Sequence, residues 1–180
     1  GWLALLAGTL ALAACNQPDK PQEEANAARP AKAEEASAEG AKEKETGEKE
    51  AKEAGEAILE IYKQDFSVEL KSDNSPLTIA DKKSNDIIVA ALKNIDASIP
   101  IISEENKLLE YEIRKSWTKC WIVDPLDGTK EFIKKNGEFT VNIALVENGI
   151  PILGVVHVPA QQIIYYAEIG KGSYKLENNI

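Results

Sequence analysis

The amino-acid sequence predicts an α+β fold, with helices first and a mostly antiparallel meander of strands after them, packed as a layered helix/sheet sandwich. Two patterns carry this expectation. Apolar residues recur at helical spacing in the segments 53–62 and 79–95. Beyond about residue 139 the pattern changes to short apolar runs punctuated by Asn148-Gly149 and Gly170-Lys171-Gly172, which read as turns.

Taken in order, the chain opens on an apolar run from Trp2 to Ala14, of signal-peptide length and short for a membrane-spanning helix. It ends in Leu12-Ala13-Ala14-Cys15, which resembles a bacterial lipobox. Residues 1–15 are therefore read as a leader, and Cys15 as a lipidation site that tethers the protein to a membrane surface without spanning it. The alternative is an ordinary hydrophobic leader with a chance Cys. Gly1 stands where an initiator Met and a basic segment would be expected, so the N-terminus reads as clipped.

Residues 16–52 read as a low-complexity tether of Ala, Glu and Lys. From Asn16 to Ala57 there is no aromatic residue, Pro18, Pro21 and Pro30 interrupt the first part, and 12 acidic residues face 7 basic ones, which is −5 of the chain's net −9. Such a composition cannot bury a core, and the stretch from about Ala41 is expected to be partly helical. The sequence has no basic patch, which argues against a nucleic-acid polymer as a partner.

The folded domain is expected over 53–180. Ala54, Ala57, Ile58 and Ile61 place a helix from Glu53 to Tyr62. Ile87, Ile88, Ala91, Leu92 and Ile95 place another from about Ile79 to Ile95, with Asp81 near its first turn. Strands are expected at Val68–Lys71, Ile101–Ser103, Cys120–Asp124, Phe139–Glu147, Ile152–Val158 and Ile163–Glu168. The single histidine, His157, lies in one of these apolar strands and reads as structural. Cys120 reads as a buried apolar thiol, with no disulfide to Cys15.

The chemistry is expected at Trp121-Ile122-Val123-Asp124-Pro125-Leu126-Asp127-Gly128-Thr129, a strand that ends in two carboxylates three residues apart. Hard cations prefer such oxygen ligands. Pro125 holds Asp124 extended, and Gly128 permits a backbone conformation or a close approach that a side chain would resist. Thr129 is expected to open a helix to Lys135, with amides turned toward a phosphate. Asp-Pro-x-Asp-Gly is also ordinary turn chemistry, so the motif alone leaves both readings open.

Two upstream segments, Ser75-Pro76-Leu77-Thr78-Ile79-Ala80-Asp81 and Ile101-Ile102-Ser103-Glu104-Glu105, decide between them. Together with the acidic turn they resemble the inositol monophosphatase superfamily of metal-dependent phosphatases. Within it, Asp127-Gly128-Thr129-Lys130-Glu131-Phe132, the run Asn136 to Leu145 and the run Pro151 to Pro159 resemble the bisphosphate nucleotidase branch. The likeness runs from about Ala54 to the end of the chain.

The resemblance implies the sugar-phosphatase fold, here in its N-terminal portion only. It implies Mg2+ held by Glu104, Asp124, Asp127 and the Leu126 carbonyl, and Asp81 helping to activate a water that Thr129 orients. It also implies that the substrate phosphate sits against Glu104, Leu126, Asp127, Gly128 and Thr129, and that Glu105 supports Glu104 as metal ligand without being one itself. The implied reaction is hydrolysis of a small phosphate monoester, 3'-phosphoadenosine 5'-phosphate going to AMP and phosphate. An inositol or sugar-phosphate phosphatase is the alternative activity. A lipid-anchored binding protein that keeps the scaffold without catalysis is the alternative class.

Metal-activated water needs no protein nucleophile, which suits a chain with one His and two Cys in unpromising settings. The reading requires Asp81, Glu104, Asp124 and Asp127 to lie near enough to share a cation cluster. Members of the superfamily continue with a second region that carries a further Asp ligand in a Trp-Asp segment. Trp117 and Trp121 are followed by Thr and Ile and cannot replace it. The expectation is thus a gene fragment, inactive alone, with apolar sheet surface left uncovered. Localisation is expected at a membrane, lipid-anchored if the leader is genuine and otherwise at the cytoplasmic face of the inner membrane.

Overall fold

The computed structural model describes residues 49, 52–65, 67–71 and 76–177. The leader, Cys15, nearly all of the tether and Ser75 lie outside the described residues. Helix α1 covers 52–62, where Ala54, Ala57 and Ile58 are buried as the spacing requires. Strand β1 (Val68–Leu70) pairs antiparallel with β2 (Pro76–Thr78), a short hairpin whose second strand the sequence did not announce.

Helix α2 (Ile79–Ile95) begins at a capping box. Thr78 is the N-cap, its hydroxyl accepts from the Ala80 amide at 3.2 Å, and the Asp81 carboxylate accepts from the Thr78 amide at 2.7 Å. The predicted boundaries of this helix hold because a cap at one end and apolar spacing at 88 and 92 agree.

Strand β3 (Ile101–Ser103) runs parallel to β4 (Lys119–Asp127), with the short helix α3 (Tyr111–Arg114) in the connection between them. Helix α4 (Thr129–Ile133) follows β4, and β5 (Thr140–Glu147), β6 (Ile150–Val158), a 3-10 turn at Pro159–Gln161, β7 (Ile163–Glu168) and β8 (Gly172–Glu177) complete an antiparallel meander. The six-stranded sheet has the order β3-β4-β5-β6-β7-β8. Asn148 and Gly149 turn the β5–β6 corner with φ of 50° and 79°, the two positive values that a tight hairpin of matching twist needs.

Alternation along the strands sorts the sheet into two faces. One carries Trp121, Val123, Val141, Ile143, Leu145, Leu153 and Val155, packed with Ala54 and Ile58 of α1 and Ile88 and Leu92 of α2. This is the core. The other face carries Ile122, Ala144 and Gly154 in one row and Asp124, Asn142, Val156 and Tyr165 in the next. Tyr165 is 36% exposed, while Ile122 and Val156 are half-buried. Cys120 lies on this second face and is half-buried, not buried as expected, because it points away from the helices. Burial still pushes its thiol pKa up.

An aromatic trio joins α4 to the end of α1. Phe132 and Phe139 each stand 5.1 Å from Tyr62 between ring centroids, and 5.3 Å from each other. Lys135, in the left-handed region at φ 60°, donates to the Tyr62 and Gln64 carbonyls, the second at 3.1 Å. A cation on the last carbonyls of a helix also meets the negative end of its dipole.

His157 is 5% exposed and lies against the backbone of α1 at Gly55. A Cβ at Gly55 would stand 2.3 Å from its Cε1 and 2.4 Å from its Nδ1. Replacing glycine by alanine inside a helix ordinarily stabilises by about 0.5–1 kcal/mol. Here Gly55→Ala is expected to destabilise by about 1–3 kcal/mol, the usual range for overpacking. Thermal unfolding reads the sign, and a higher Tm for the variant would show that the imidazole is not seated on this helix.

Candidate metal and phosphate site

Strand β4 does not stop at Asp124 as the sequence suggested. It continues to Asp127 through a bulge, with Asp124 opposite Asn142 and Asp127 opposite Thr140. Two residues, Pro125 and Leu126, thus face the single residue Val141 across the strand pair. Proline has no amide to give to a ladder, and a bulge is where a strand tolerates it. The bulge turns the two acids of the motif toward the end of the sheet.

Gly128 follows with φ 91°, the left-handed region. A Cβ there would lie 2.8 Å from the Glu138 carbonyl oxygen, so glycine is required both for its conformation and for its neighbour. Thr129 then begins α4, which ends at Ile133, two residues short of the expected Lys135. The Thr129 hydroxyl lies 3.0 Å from Asp81 Oδ1, to which it donates, and 3.3 Å from the Leu126 carbonyl. Asp81 Oδ2 accepts from the Thr78 amide at 2.7 Å and from its hydroxyl at 2.6 Å. Both oxygens of this 1% exposed carboxylate are therefore held by protein donors.

Glu104 and Glu105 come from the turn after β3. Lys71, at the end of β1, donates to Glu104 Oε1 at 3.0 Å and to Glu105 Oε1 at 2.7 Å. Burial works against the Lys71 ammonium, but its bonds to Glu105 and Glu104 outweigh burial and raise its pKa. Glu105 is pushed up as well, by burial first, despite the lysine, and by the like charges of Asp81 and Glu104. One ammonium does not neutralise this corner.

Asp124 shows the same excess most clearly. Its pKa rises to about 8, through burial first and then through the charges of Glu104 and Asp127. It is 3% exposed, and its Oδ1 has no hydrogen-bond partner in the protein. Asp127 Oδ2 accepts from Asn142 Nδ2 at 3.4 Å.

The donor set fits a hard divalent cation: it is all oxygen, it carries unneutralised negative charge, and one buried carboxylate oxygen is orphaned. The four acids are gathered at one edge of the fold. Among the described residues, however, no three Asp, Glu, His or Cys side chains stand together as a ready cage. Asp81 is committed to Thr78 and Thr129, and Glu104 to Lys71. A cation entering here would have to exchange places with the Lys71 ammonium.

Lys71, Ser84, Asn85, Ser103 and Asn142 are site residues that sequence reasoning missed. Ser84 Oγ donates to the Pro125 carbonyl at 2.6 Å, and Ser103 Oγ donates to Asn85 Oδ1 at 2.6 Å. A signal for two of them was present. Asp81, Ser84 and Asn85 fall on the buried side of α2 in line with Ile88 and Leu92, where apolar residues belong.

No helix among the described residues is long and apolar enough to cross a membrane.

The chain is similar in sequence and fold to known proteins. The description "Inositol monophosphatase family" matches residues 41–180. Over 123 residues the chain is 49% identical to the 3'(2'),5'-bisphosphate nucleotidase CysQ of Salmonella typhimurium, a match covering 67% of this chain and 50% of that protein. Its fold superposes on the crystal structure of CysQ from Bacteroides thetaiotaomicron, described as a bacterial member of the inositol monophosphatase family, with TM-score 0.62 and 52% identity over 72% of this chain and 46% of that one. The extragenic suppressor protein suhB of Bartonella henselae matches with TM-score 0.66 and 28% identity, over 73% of this chain and 50% of the other. The chain spans about half the length of the curated relatives it matches. With sequence and fold in agreement, the chain belongs to the inositol monophosphatase family.

Proposed function

We propose that this chain provides the metal-binding and phosphate-binding half of a Mg2+-dependent phosphomonoesterase acting on a 3'(2'),5'-bisphosphate nucleotide, 3'-phosphoadenosine 5'-phosphate being the substrate that its relatives' name suggests. The observation that carries the reading is the buried Asp124 carboxyl, which shares a hydrogen bond with Glu104, feels the charge of Asp127 and leaves its Oδ1 without a partner. Such a group is costly to bury unless a cation completes it.

Glu104, Asp124, Asp127 and the Leu126 carbonyl would hold the cation. Mg2+ there would supply a more acidic water and neutralise the charge on the phosphoryl oxygens. The chain's own residues do the rest. Thr129, held on Asp81, offers an oriented hydroxyl at the edge of the acidic corner, and Asp81 is fixed to draw a proton through it. The backbone of Gly128 and Thr129 presents amides toward an anion. Asn142 steadies Asp127.

The choice of nucleotide over inositol or sugar phosphate is proposed from the sequence run after Asp127 and from the CysQ relatives. We also propose that these 180 residues alone turn over little or no substrate. Membrane anchoring through Cys15 is proposed from the Leu12–Cys15 run alone. Globomycin treatment should then leave the uncleaved form in the membrane fraction, and an unchanged soluble product would reject anchoring.

Isothermal calorimetry of the purified chain with Mg2+ tests the site. Binding is expected and should be lost in Asp127→Asn; an absence of binding by the wild-type chain overturns the reading. Phosphate release from 3'-phosphoadenosine 5'-phosphate and from inositol 1-phosphate, compared on the chain and on a CysQ relative of full length, ranks the substrates. Rapid turnover by the chain would reject its proposed inactivity.

Asp124 also sets a pH dependence. Its folded pKa of about 8 lies above its ordinary value of 3.8, so across that window the folded state binds more protons than the unfolded state. Without metal, stability should fall as pH rises from about 4 to about 8, and be lowest above that. Asp124→Asn removes the charge and should raise metal-free stability at pH 8 by roughly 1–3 kcal/mol, read by thermal unfolding. A variant no more stable than the wild type would show that Asp124 is not under this strain.

A further inference from the structure

Helix α2 carries a buried polar strip on the side that faces the site. Asp81, Ser84 and Asn85 are 1%, 0% and 7% exposed, and they occupy positions i, i+3 and i+4, which share one helix face. Each reaches a different segment of the site. Asp81 takes the Thr129 hydroxyl at the start of α4. Ser84 donates to the Pro125 carbonyl at 2.6 Å. Asn85 accepts from Ser103 at 2.6 Å and donates to Asn106 Oδ1 at 3.2 Å, and Ser103 in turn lies 3.4 Å from the Glu105 amide that donates to it.

These bonds fall where the strand ladders end or lose their register. The β4 bulge sets Pro125 and Leu126 against the single residue Val141, out of the one-to-one register that places a ladder donor at each carbonyl. The Ser84 hydroxyl supplies a donor to the Pro125 carbonyl from across the core. By holding that carbonyl it sets the orientation of the next peptide, and with it the direction of the Leu126 carbonyl and the separation of Asp124 from Asp127. The Cα register of β3 with β4 ends at Ser103, the Glu104 amide makes one more bond to the Val123 carbonyl at 3.2 Å, and Asn85 adds side-chain bonds to both ends of the turn that displays Glu104 and Glu105.

We infer that Ser84 and Asn85 are positioning residues: through the Pro125 carbonyl and the Ser103–Asn106 turn, one face of α2 sets the two ligand-bearing loops at the spacing a divalent cation requires. Neither side chain would touch the cation. The inference rests on the metal reading of the site proposed above. Partners that orient metal ligands typically change metal affinity by about 10- to 100-fold when removed.

The test uses the full chain with Mn2+ as the probe, bound ion being read by loss of the free-ion signal in electron paramagnetic resonance, and Mg2+ as displacer. Ser84→Ala is expected to weaken Mn2+ binding about 10-fold or more. Ser84→Thr keeps the hydroxyl and should restore most of it. Ile88→Val, one turn further along the same helix in the apolar core, serves as a stability control. It should lower Tm without changing Mn2+ affinity. Asn85→Ala provides a second, independent variant and should weaken binding in the same direction. If Ser84→Ala and Asn85→Ala both bind Mn2+ like the wild type, or if Ile88→Val loses affinity equally, the inference is overturned while the metal reading stands. If the wild-type chain binds no Mn2+, both are overturned together.

Discussion

The constraint on which the structure turns is the crowding of like charge at the ends of β3 and β4. Glu104, Glu105, Asp124 and Asp127, with Asp81 close behind, repel one another, and burial deepens the repulsion by removing the water that would screen it. A chain collapsing under the hydrophobic effect alone would leave these groups in solvent. Glu104 stays exposed, but holding Asp81 and Asp124 inside, with Glu105 and Asp127 half-buried, requires rigid elements on several sides and a positive charge nearby.

The rigid elements are ordinary pieces of fold put to that use. The core face of the sheet packs α1 and α2 against Trp121, Val123 and their neighbours, which fixes α2 over the end of β4. Hydrogen bonds from α2 then reach the bulge in β4 and the turn at the end of β3. Lys71 brings the β1 strand end onto Glu104 and Glu105. The positive charge is thus carried on a short two-stranded hairpin, outside the six-stranded sheet.

Much of this was legible in the chain as a string. Helix α2 was bounded correctly because its cap and its apolar spacing are both local signals. The β5–β6 hairpin was legible in Asn148-Gly149, whose residues tolerate the positive φ the turn demands. The acidic motif was legible because Asp, Pro and Gly at that spacing are few in kind. Strands β2 and β8 were not: Pro76 at the head of one and Gly172 at the head of the other weaken the strand pattern, and pairing with β1 and β7 supplies what propensity does not. The bulge that carries β4 through Pro125 was also hidden, since a proline there reads as the end of a strand until a partner strand is seen opposite it.

By itself the sequence determined the family, the two long helices and most of the strands of the meander, because periodicity, caps and motif spacing are properties of neighbours along the chain. Only the tertiary structure decided what the carboxylates of the site touch. Lys71 and Glu105 are separated by 34 positions, Ser84 and Pro125 by 41, and Asp81 and Thr129 by 48. No local rule joins them. They meet because the core packs α2 against β4 and the β3–β4 ladder brings the two acidic turns to one edge. The electrostatics of the site, including the proton that Asp124 retains to about pH 8, is a property of that meeting.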